Sequence, residues 1–307
     1  MIGAAFASDE RFARQSHATF LLVRKCRHGI FRKMSIMKLR IATYNIHKGV
    51  TSLAQRPRIH SLKRALRSLD AELVFLQEVQ GQHDLLAVRL GNPLLTISQD
   101  QFLAGRLYHS AYGMNAVYDH GHHGNALLSR YRIVSSENFD VSDHALESRG
   151  ILHCVIETEY ANVHCFVVHL GLFAGSRRRQ TEALIRHAQE SVPADAPIII
   201  AGDFNDWQNQ LGDMLRASLG VTEVFDDQGV GEGFSDYLRR LTGRRAKKTP
   251  ARTFPVAKPW LRLDRIYLRG FKVESAQVLQ GIRWSRLSDH APIIATLELI
   301  LPHQRKR

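Results

Sequence analysis

Cysteine is scarce in this 307-residue chain, and long apolar runs are missing. The three cysteines, Cys26, Cys154 and Cys165, are an odd number with neither CxxC nor zinc-type spacing. This pattern argues against a disulfide framework and indicates a reducing compartment. No segment approaches the roughly 18 consecutive apolar residues that a membrane span requires. We therefore expect a cytoplasmic protein without a transmembrane segment, with peripheral association at a membrane as the alternative.

Acidic residues are also few relative to basic ones. The chain has 42 Lys and Arg against 29 Asp and Glu, which gives a formal net charge of +13. Such an excess favours anionic partners, namely nucleic acid, anionic lipid headgroups or phosphorylated small molecules. A solvated basic surface without a special partner is the alternative. Hydrophobic residues make up 44% of the chain, which is ordinary for a globular protein.

No Pro/Gly-rich linker or internal repeat divides the chain, so one main domain is expected. Residues 1–37 differ from the rest because they are basic and contain one short apolar island. They are a basic amphipathic arm, a targeting extension, or translated sequence upstream of a true start at Met34 or Met37. We favour the last interpretation because the first clear strand begins at Lys38. The predicted organisation is an extension (1–37), a domain (38–300) and a basic tail (301–307), in a monomer.

Apolar runs typical of buried strands alternate with segments of helical periodicity, which predicts a mixed α/β domain. Strands are predicted in "LRIATYNI", "AELVFLQEV", "NAVY", "NALLSR", "APIIIAGDFN", "LDRIYLRG" and "APIIATLEL", with a hairpin of "RGILHCVIETEY" and "NVHCFVVHL". Helices are predicted in "RIHSLKRALRSLD", "SRRRQTEALIRHAQESV" and "QLGDMLRASLG". The Gly-rich and basic segment 226–250 is predicted to be a surface loop.

Polar side chains recur where these strands end: Asn45, Glu78, His169, Asp203, Asn205, Asp264, Asp289 and His290. Buried acids are costly unless they are paired or bound to metal, so several acids that converge require a cation. Asn and carboxylate oxygens suit Mg²⁺ or Mn²⁺ rather than zinc. Two histidines beside such an ion could stabilise or protonate a phosphoryl group. The set therefore suits hydrolysis of a phosphate ester.

Each of these residues also has a purely structural interpretation. Asn45 could be a turn residue and Glu78 a solvated strand end. His169 could be a core histidine bonded to a carbonyl. The pair Asp289–His290 could be an ordinary loop, and Asp264 could form an ion pair with a nearby arginine. All these alternatives would have to hold at once to defeat the catalytic interpretation.

The order of the motifs is more specific than any one of them. "TYNIHKG", "LQEV", "GNALLSR", "VVHL", "AGDFND", "RLDRIYL" and "LSDHAPI" together resemble the endonuclease/exonuclease/phosphatase superfamily, which includes DNase I, apurinic endonucleases and neutral sphingomyelinases. The resemblance extends from about Leu39 to Leu299. "ARTFP" is most similar to the bacterial and sphingomyelinase-like branches, and the chain looks closest to uncharacterised bacterial members.

The resemblance implies a four-layer α/β sandwich, in which two mixed β-sheets pack face to face with helices outside, as in DNase I. It also implies a divalent-metal-dependent hydrolase that cleaves phosphodiester bonds by in-line attack of an activated water. Glu78 matches the glutamate that binds the cation, Mg²⁺ or Mn²⁺. Asn45 lies beside it, and Asp289 is a further ligand or an outer contact.

The catalytic residues that the resemblance implies follow in the same way. Asp203 matches the aspartate that orients or deprotonates the attacking water, and Asn205 would hydrogen-bond the phosphate. His290 matches the histidine of the SDH motif, with its imidazole held by Asp264. His169 corresponds to the second histidine of the DNase-like and sphingomyelinase-like branches. Apurinic endonucleases place a tyrosine near this role, which argues against an abasic-site enzyme.

Two further residues are expected at the substrate. Asn125 in "GNALLSR" matches a position that touches substrate in the family, although it could equally cap a strand. Arg149 aligns with a family arginine near the rim of the active site, where phosphate contact and a structural salt bridge are equally compatible with the sequence. The "GHHGN" histidines are expected on an exposed or substrate-facing loop.

The substrate stays open at this stage. A phospholipid-type phosphodiester is favoured by the "ARTFP" stretch, and a DNA or RNA backbone by the net charge and the basic segment Arg239–Lys248. A catalytically inactive binding protein of the same fold would lack part of the catalytic set, which is complete here. An extended basic groove would indicate nucleic acid. A closed pocket rimmed by Phe254, Trp260 and Leu261 would indicate lipid.

Overall fold

The structure is a computed structural model, and it describes residues 21–22, 34–35, 37–49, 58–83, 98–119, 121–143, 147–226 and 251–300. The chain divides into two compact units, Met1–Met37 and Lys38–Arg307. In the first unit, strand β1 (Leu21–Leu22) pairs antiparallel with β2 (Met34–Ser35). The predicted basic segment Arg239–Lys248 and the tail 301–307 lie outside the described residues.

The second unit contains two six-stranded sheets and a small number of helices. In chain order its strands are β3 (Lys38–Asn45), β4 (Leu73–His83), β5 (His109–Tyr118), β6 (Gly121–Ser129), β7 (Ile133–Asp140), β8 (Gly150–Glu157), β9 (Asn162–His169), β10 (Ile198–Asp203), β11 (Thr222–Glu223), β12 (Asp264–Arg269), β13 (Phe271–Val278) and β14 (Ile293–Leu299). Its helices are α1 (Ile59–Arg67), α2 (Gln99–Ala104), α3 (Ala174–Ser191), α4 (Gly212–Leu219) and α5 (Ile282–Ser285), with a 3₁₀ turn at His47–Gly49.

Each sheet is mixed and has a defined strand order. The first sheet runs β13-β14-β3-β4-β6-β5, and the second runs β11-β12-β10-β9-β8-β7. The pairs β3–β4 and β9–β10 are parallel, and the remaining pairs within these sheets are antiparallel. The parallel pairs place the carboxyl ends of their strands at one edge of each sheet, where α/β proteins usually hold ligands.

Side-chain alternation along the strands builds the layers. In β3, Tyr44 belongs to a cluster with Leu62 and Leu66 of α1, on the outer face of the first sheet. In β9, Phe166 and Val168 belong to a cluster with α3 on the outer face of the second sheet. Because successive strand residues point to opposite faces, the alternate residues of both sheets face each other. The predicted four-layer α/β sandwich is confirmed.

The structure adds strands that the sequence pattern does not predict, among them β7, β11 and β13, and it lengthens others such as β4. Strands β7 and β13 lie at sheet edges, and their largely exposed residues lack the apolar run of a central strand. Strand β4 continues to His83 instead of ending at Glu78. The histidines of "GHHGN" lie in β6 rather than on a loop. Among the helices that the structure describes, none is long and apolar enough to cross a membrane.

Candidate active site

Three of the predicted site residues lie side by side on neighbouring strands of the second sheet. His169 ends β9, Asp203 ends β10 and Asp264 begins β12. The strand register pairs Asp203 with His169 on one side and with Asp264 on the other. The residues of β9, β10 and β12 that pack against α3 and α4 lie on the outer face of the second sheet. His169, Asp203 and Asp264 occupy the alternate positions, so they lie on the face turned toward the first sheet.

The Asp203 carboxylate is the centre of this arrangement. Its Oδ1 accepts a hydrogen bond from the Asn205 backbone N–H at 3.0 Å. Its Oδ2 accepts one from Asn45 Nδ2 of the first sheet at 3.1 Å. The Nε2 atoms of His169 and His290 each lie 3.7 Å from the same Oδ2. One buried oxygen therefore faces two imidazoles and an amide that come from both sheets.

Asp264 holds the imidazole of His290. The Nδ1–H of His290 donates to Asp264 Oδ2 at 2.8 Å, and both side chains are buried. Burial by itself lowers the pKa of His290, but the charges of Asp264, Asp203 and Asp289 and the hydrogen bond to Asp264 outweigh it. The pKa of His290 is raised to about 10. His290 is thus a cation at neutral pH, with its Nε2–H turned toward Asp203.

His169 has the opposite character. Burial, together with the positive charge of Arg149 and repulsion from His290, His123 and Lys48, lowers the pKa of His169 well below its usual value. His169 is therefore neutral at pH 7. The pKa of Asp203 is raised to about 6, because burial and the charge of Asp264 outweigh the attraction of His290. Asp203 is mostly ionised at pH 7 and still close to its titration range.

Glu78 is set apart from the regular strand. The pairing of β4 with β6 shifts register between Leu76 and Val79, so Glu78 lies in a β-bulge, which re-aims a side chain. Its φ of 54° is in the left-handed region, which costs a non-glycine residue about 1–3 kcal/mol. Its Oε1 accepts a hydrogen bond from Asn45 Nδ2 at 3.2 Å. The Asn45 amide group therefore links Glu78 to Asp203.

A second carboxylate approaches Glu78 through His47. The Nδ1 of His47 lies 3.4 Å from Asp289 Oδ1 and 4.0 Å from Glu78 Oε2. The side chains of Glu78 and Asp289 are partly exposed, at 19% and 32%. The carboxylates of Glu78 and Asp289 are the hard ligands that Mg²⁺ and Mn²⁺ take, and the imidazole of His47 adds a nitrogen. The Oδ1 of Asn45 accepts the His47 backbone N–H at 3.1 Å and has a second lone pair for an ion. The residues present fit a divalent cation.

Another group also brings potential ligand atoms within 4.8 Å of one another, namely Asp203, Asp264 and His290. Here the 2.8 Å hydrogen bond already engages His290 Nδ1 and one oxygen of Asp264, and the raised pKa of His290 keeps a proton on its Nε2 as well. An imidazole nitrogen that carries a proton cannot coordinate an ion. The geometry of this group fits proton transfer better than metal coordination.

His169, Asp203 and His290 lie at the floor of an open pocket of about 530 Å³, which Glu78 also lines. Its polar lining consists of Lys48, Glu78, His123, Arg149, His169, Asp203, Asn205 and His290. Its apolar lining consists of Leu172, Trp207, Phe254, Leu261 and Leu263. The volume is in the range of about 300–1,000 Å³ that small-molecule sites occupy. A charged floor with apolar walls suits a ligand with a polar group at one end.

The two residues expected at the substrate differ in position. Arg149 lines the pocket, donates from Nε to the Leu170 carbonyl at 3.3 Å and lies 3.5 Å from Glu147. Both interpretations of Arg149, phosphate contact and structural salt bridge, are compatible with this position. Asn125 is fully buried, and its Nδ2 donates to the carbonyls of Gly150 and Val167 across the sheets. This geometry favours the structural alternative for Asn125.

Several pocket residues carry no clear signal in the sequence. Lys48 enters the pocket because His47 and Lys48 both have positive φ, 45° and 56°. Asn205, which the sequence did predict at the site, also has a positive φ, 49°, and donates from Nδ2 to the Leu170 carbonyl. Asp206, in contrast, accepts the backbone N–H groups of Gln210 and Leu211 ahead of α4. Asp206 therefore has a structural role at the turn before α4.

Comparison with known proteins defines the class. The chain belongs to the endonuclease/exonuclease/phosphatase family, which matches residues 42–290. Members of this family are hydrolases that act on phosphoester bonds, and they generally use divalent metals.

Individual relatives agree with this assignment. The uncharacterized protein YbhP of Escherichia coli (strain K12) is 40% identical over 263 residues, which are 85% of this chain and 96% of that protein. An endonuclease/exonuclease/phosphatase from Bacteroides vulgatus superposes with a TM-score of 0.63 at 17% identity, over 86% of this chain and 99% of that one. The structure of D. rerio TDP2 complexed with single strand DNA product superposes with a TM-score of 0.56 at 20% identity, over 85% of this chain and 98% of that one. These structural likenesses show the fold.

Proposed function

We propose that the protein is a divalent-metal-dependent hydrolase of phosphodiester bonds. The observation that carries this proposal is the Asp203 carboxylate, buried at the floor of the pocket between a neutral and a cationic imidazole. Asp203, with a pKa of about 6, can act as a base, and His290, with a pKa of about 10, can act as an acid. Such a pair is typical of general acid–base catalysis. The pocket above them is open to a substrate.

The residues divide the proton chemistry between them. Asp203 orients a water and accepts its proton as the water oxygen attacks phosphorus in line with the leaving oxygen. His290 donates its Nε2–H to a phosphoryl oxygen as negative charge develops, and Asp264 keeps the imidazole in that orientation. Neutral His169 hydrogen-bonds the phosphate or the water without competing for the proton. Asn205 contributes a further donor, and such a donor is typically worth about 2.7–4 kcal/mol of barrier.

Glu78, Asn45 and Asp289 would hold the cation, Mg²⁺ or Mn²⁺. When bound, the ion polarises the phosphoryl group and neutralises its charge. The positive side chains of Lys48 and Arg149 line the same pocket and would attract the anionic substrate before the reaction.

The test is hydrolysis of bis-p-nitrophenyl phosphate in Mg²⁺, in Mn²⁺ and in EDTA. Turnover should require the metal, and Asp203→Asn should lower kcat roughly 10²–10⁴-fold, as loss of a general base does. Glu72→Gln is the matched control. It makes the same carboxylate-to-amide change at a partly buried acid beside the first residue of β4, six residues before Glu78, and should retain wild-type turnover. Turnover that survives EDTA and Asp203→Asn would refute the proposal.

Nucleic acid is the second candidate substrate. The net charge of +13 favours it, and one solved structure of the same fold is complexed with a single strand DNA product. The apolar walls of the pocket favour instead a phosphodiester that carries an apolar group. Cleavage of plasmid or single-stranded DNA, measured beside hydrolysis of phospholipid in mixed micelles, distinguishes the two substrates.

A further inference from the structure

The mouth of the pocket carries large apolar side chains that are exposed to solvent. Among the described phenylalanines and tryptophans, the exposed ones are Phe173, Trp207 and Trp260, at 64%, 55% and 63%. Leu172 is 65% exposed. Leu172 and Trp207 line the pocket, Phe173 follows Leu172, and Trp260 precedes the lining residue Leu261. We call these four residues, Leu172, Phe173, Trp207 and Trp260, the apolar collar.

The collar comes from three separate segments, each attached to a strand of the site. Leu172 and Phe173 follow His169 at the end of β9, and Trp207 follows Asp203 at the end of β10. Trp260 precedes Asp264 at the start of β12. Since these three strands are in register, their loops leave the sheet at one edge. An apolar group that recurs on three loops at one edge marks an interaction surface, whereas single exposed apolar residues are ordinary.

The collar continues into the pocket. Phe254, Leu261 and Leu263 line the pocket together with Leu172 and Trp207, beside its charged and polar side chains. A ligand whose phosphate reaches the buried Asp203 and His290 therefore has apolar side chains beside its remaining part. Exposed basic residues lie beside the collar. Lys258 precedes Trp260 by two residues, and Arg178 and Arg179, which form ion pairs with Glu182 and Asp143, are in the first turns of α3 after Phe173.

We infer that the apolar collar docks on the surface of an anionic phospholipid bilayer, so that the pocket receives a phospholipid headgroup. The second half of this inference rests on the proposed function. Trp and Phe are favoured at the boundary between water and lipid, and neighbouring Lys and Arg side chains are attracted to anionic headgroups. The net charge of +13 has the matching sign.

The first experiment measures docking without turnover. The full chain in EDTA is sedimented with vesicles of phosphatidylcholine and phosphatidylglycerol, and its partition coefficient is compared with that of the double variant Phe173→Ser/Trp260→Ser. We expect the collar variant to bind at least about tenfold more weakly, and about tenfold corresponds to 1.4 kcal/mol. Equal partition of the two proteins would overturn the inference, since the basic extension 1–37 and the net charge are the same in both.

A matched control separates the collar from general surface hydrophobicity. Leu107→Ser/Val134→Ser removes two apolar side chains that are 42% and 40% exposed. Leu107 precedes β5, whose first residue pairs with Ser129 opposite the start of β4 and away from Glu78. Val134 lies where β7 pairs with the end of β8 farthest from Arg149. This control should partition like the wild type. An equal loss of binding in the control would overturn the inference.

Two further measurements distinguish the outcomes. Bilayer contact should shift the tryptophan emission of the wild type to shorter wavelength, because Trp207 and Trp260 are exposed whereas Trp284 is already buried. If the collar variant instead loses affinity for single-stranded DNA and the wild type ignores vesicles, the partner is nucleic acid and the inference is wrong. Turnover of bis-p-nitrophenyl phosphate by the wild type is measured separately. Its absence would count against the proposed function, while the docking result would stand by itself.

Discussion

The two sides of the pocket hold the same kind of side chain in opposite states. His290 and His169 are both buried, and each Nε2 atom lies 3.7 Å from Asp203 Oδ2. The pKa of His290 is raised to about 10, while that of His169 is lowered well below its usual value. Distance to Asp203 therefore does not explain the difference.

The second partner of each imidazole does explain it. Burial lowers the pKa of both histidines, but Asp264 accepts a hydrogen bond from His290 Nδ1 at 2.8 Å and supplies a negative charge. On the other side, Arg149 supplies a positive charge near His169. Asp264 thus keeps His290 protonated, while burial, reinforced by the charge of Arg149, keeps His169 neutral. Of the two histidines, only His290 can therefore donate a proton at neutral pH.

The largest effect should come from removing the cationic side. His290→Gln takes away the proton donor and should lower kcat on bis-p-nitrophenyl phosphate roughly 10²–10⁴-fold, the range of general acid–base catalysis. His169→Gln is the matched variant on the neutral side. Because it removes only a neutral hydrogen-bonding group, its loss should be smaller by about tenfold or more. Equal losses in the two variants would mean that the two sides do not differ in function.

Next in size is the loss of the carboxylate that makes His290 basic. In Asp264→Asn the pKa of His290 should fall from about 10 toward the ordinary 6.5. The wild-type kcat/KM should rise through about pH 6, as Asp203 ionises, and decline toward pH 10. The variant should begin its decline well below that pH and lose on the order of 10²-fold at pH 8. If the decline of kcat/KM at alkaline pH is the same in Asp264→Asn as in the wild type, that decline does not report the deprotonation of His290.

Arg149→Gln tests the neutral side and should have a smaller effect. Without the guanidinium, the pKa of His169 should rise, which NMR titration of its ring protons can follow. Loss of one charge that faces an anionic substrate should raise KM about tenfold, while kcat changes less. Arg132→Gln, at an exposed arginine paired with Glu157, makes the same charge change elsewhere and should leave KM as it is. If the pKa of His169 is the same in Arg149→Gln as in the wild type, the charge of Arg149 does not contribute to lowering it.

The smallest expected effect is on stability against pH, and the two histidines should act in opposite directions. Neutral His169 is favoured in the folded state, so its contribution is complete above pH 6.5 and is lost as the pH falls. Protonated His290 is favoured, so its contribution is complete below pH 6.5 and is lost as the pH rises through about 10. Each contribution changes by at most about 1.4 kcal/mol per pH unit. Urea unfolding of His169→Asn should therefore show a flatter acid side, and an unchanged acid side would contradict the assignment.

Much of the architecture could be predicted because the central strands have their signal in local sequence. Strand β10 is apolar and buried on both faces up to Asp203, and its pattern predicts a central strand with polar residues at its carboxyl end. The edge strands β7 and β13 could not be predicted in this way, since a strand with one exposed face and one neighbour needs no apolar run. The β-bulge at Glu78 could not be predicted from the sequence either, because it depends on how β4 pairs with β6.

The site shows the same division. The sequence by itself determined which residues end the buried strands, among them His169, Asp203 and Asp264, because burial of apolar runs and the polar residues after them are local properties. Only the tertiary structure decided that Asn45 reaches Asp203, 158 residues away, and that Asp264 pairs with His290 rather than with an arginine. It also decided the opposite protonation of His290 and His169. Charge states depend on partners and burial, and the chain supplies both only when the two sheets have closed on each other.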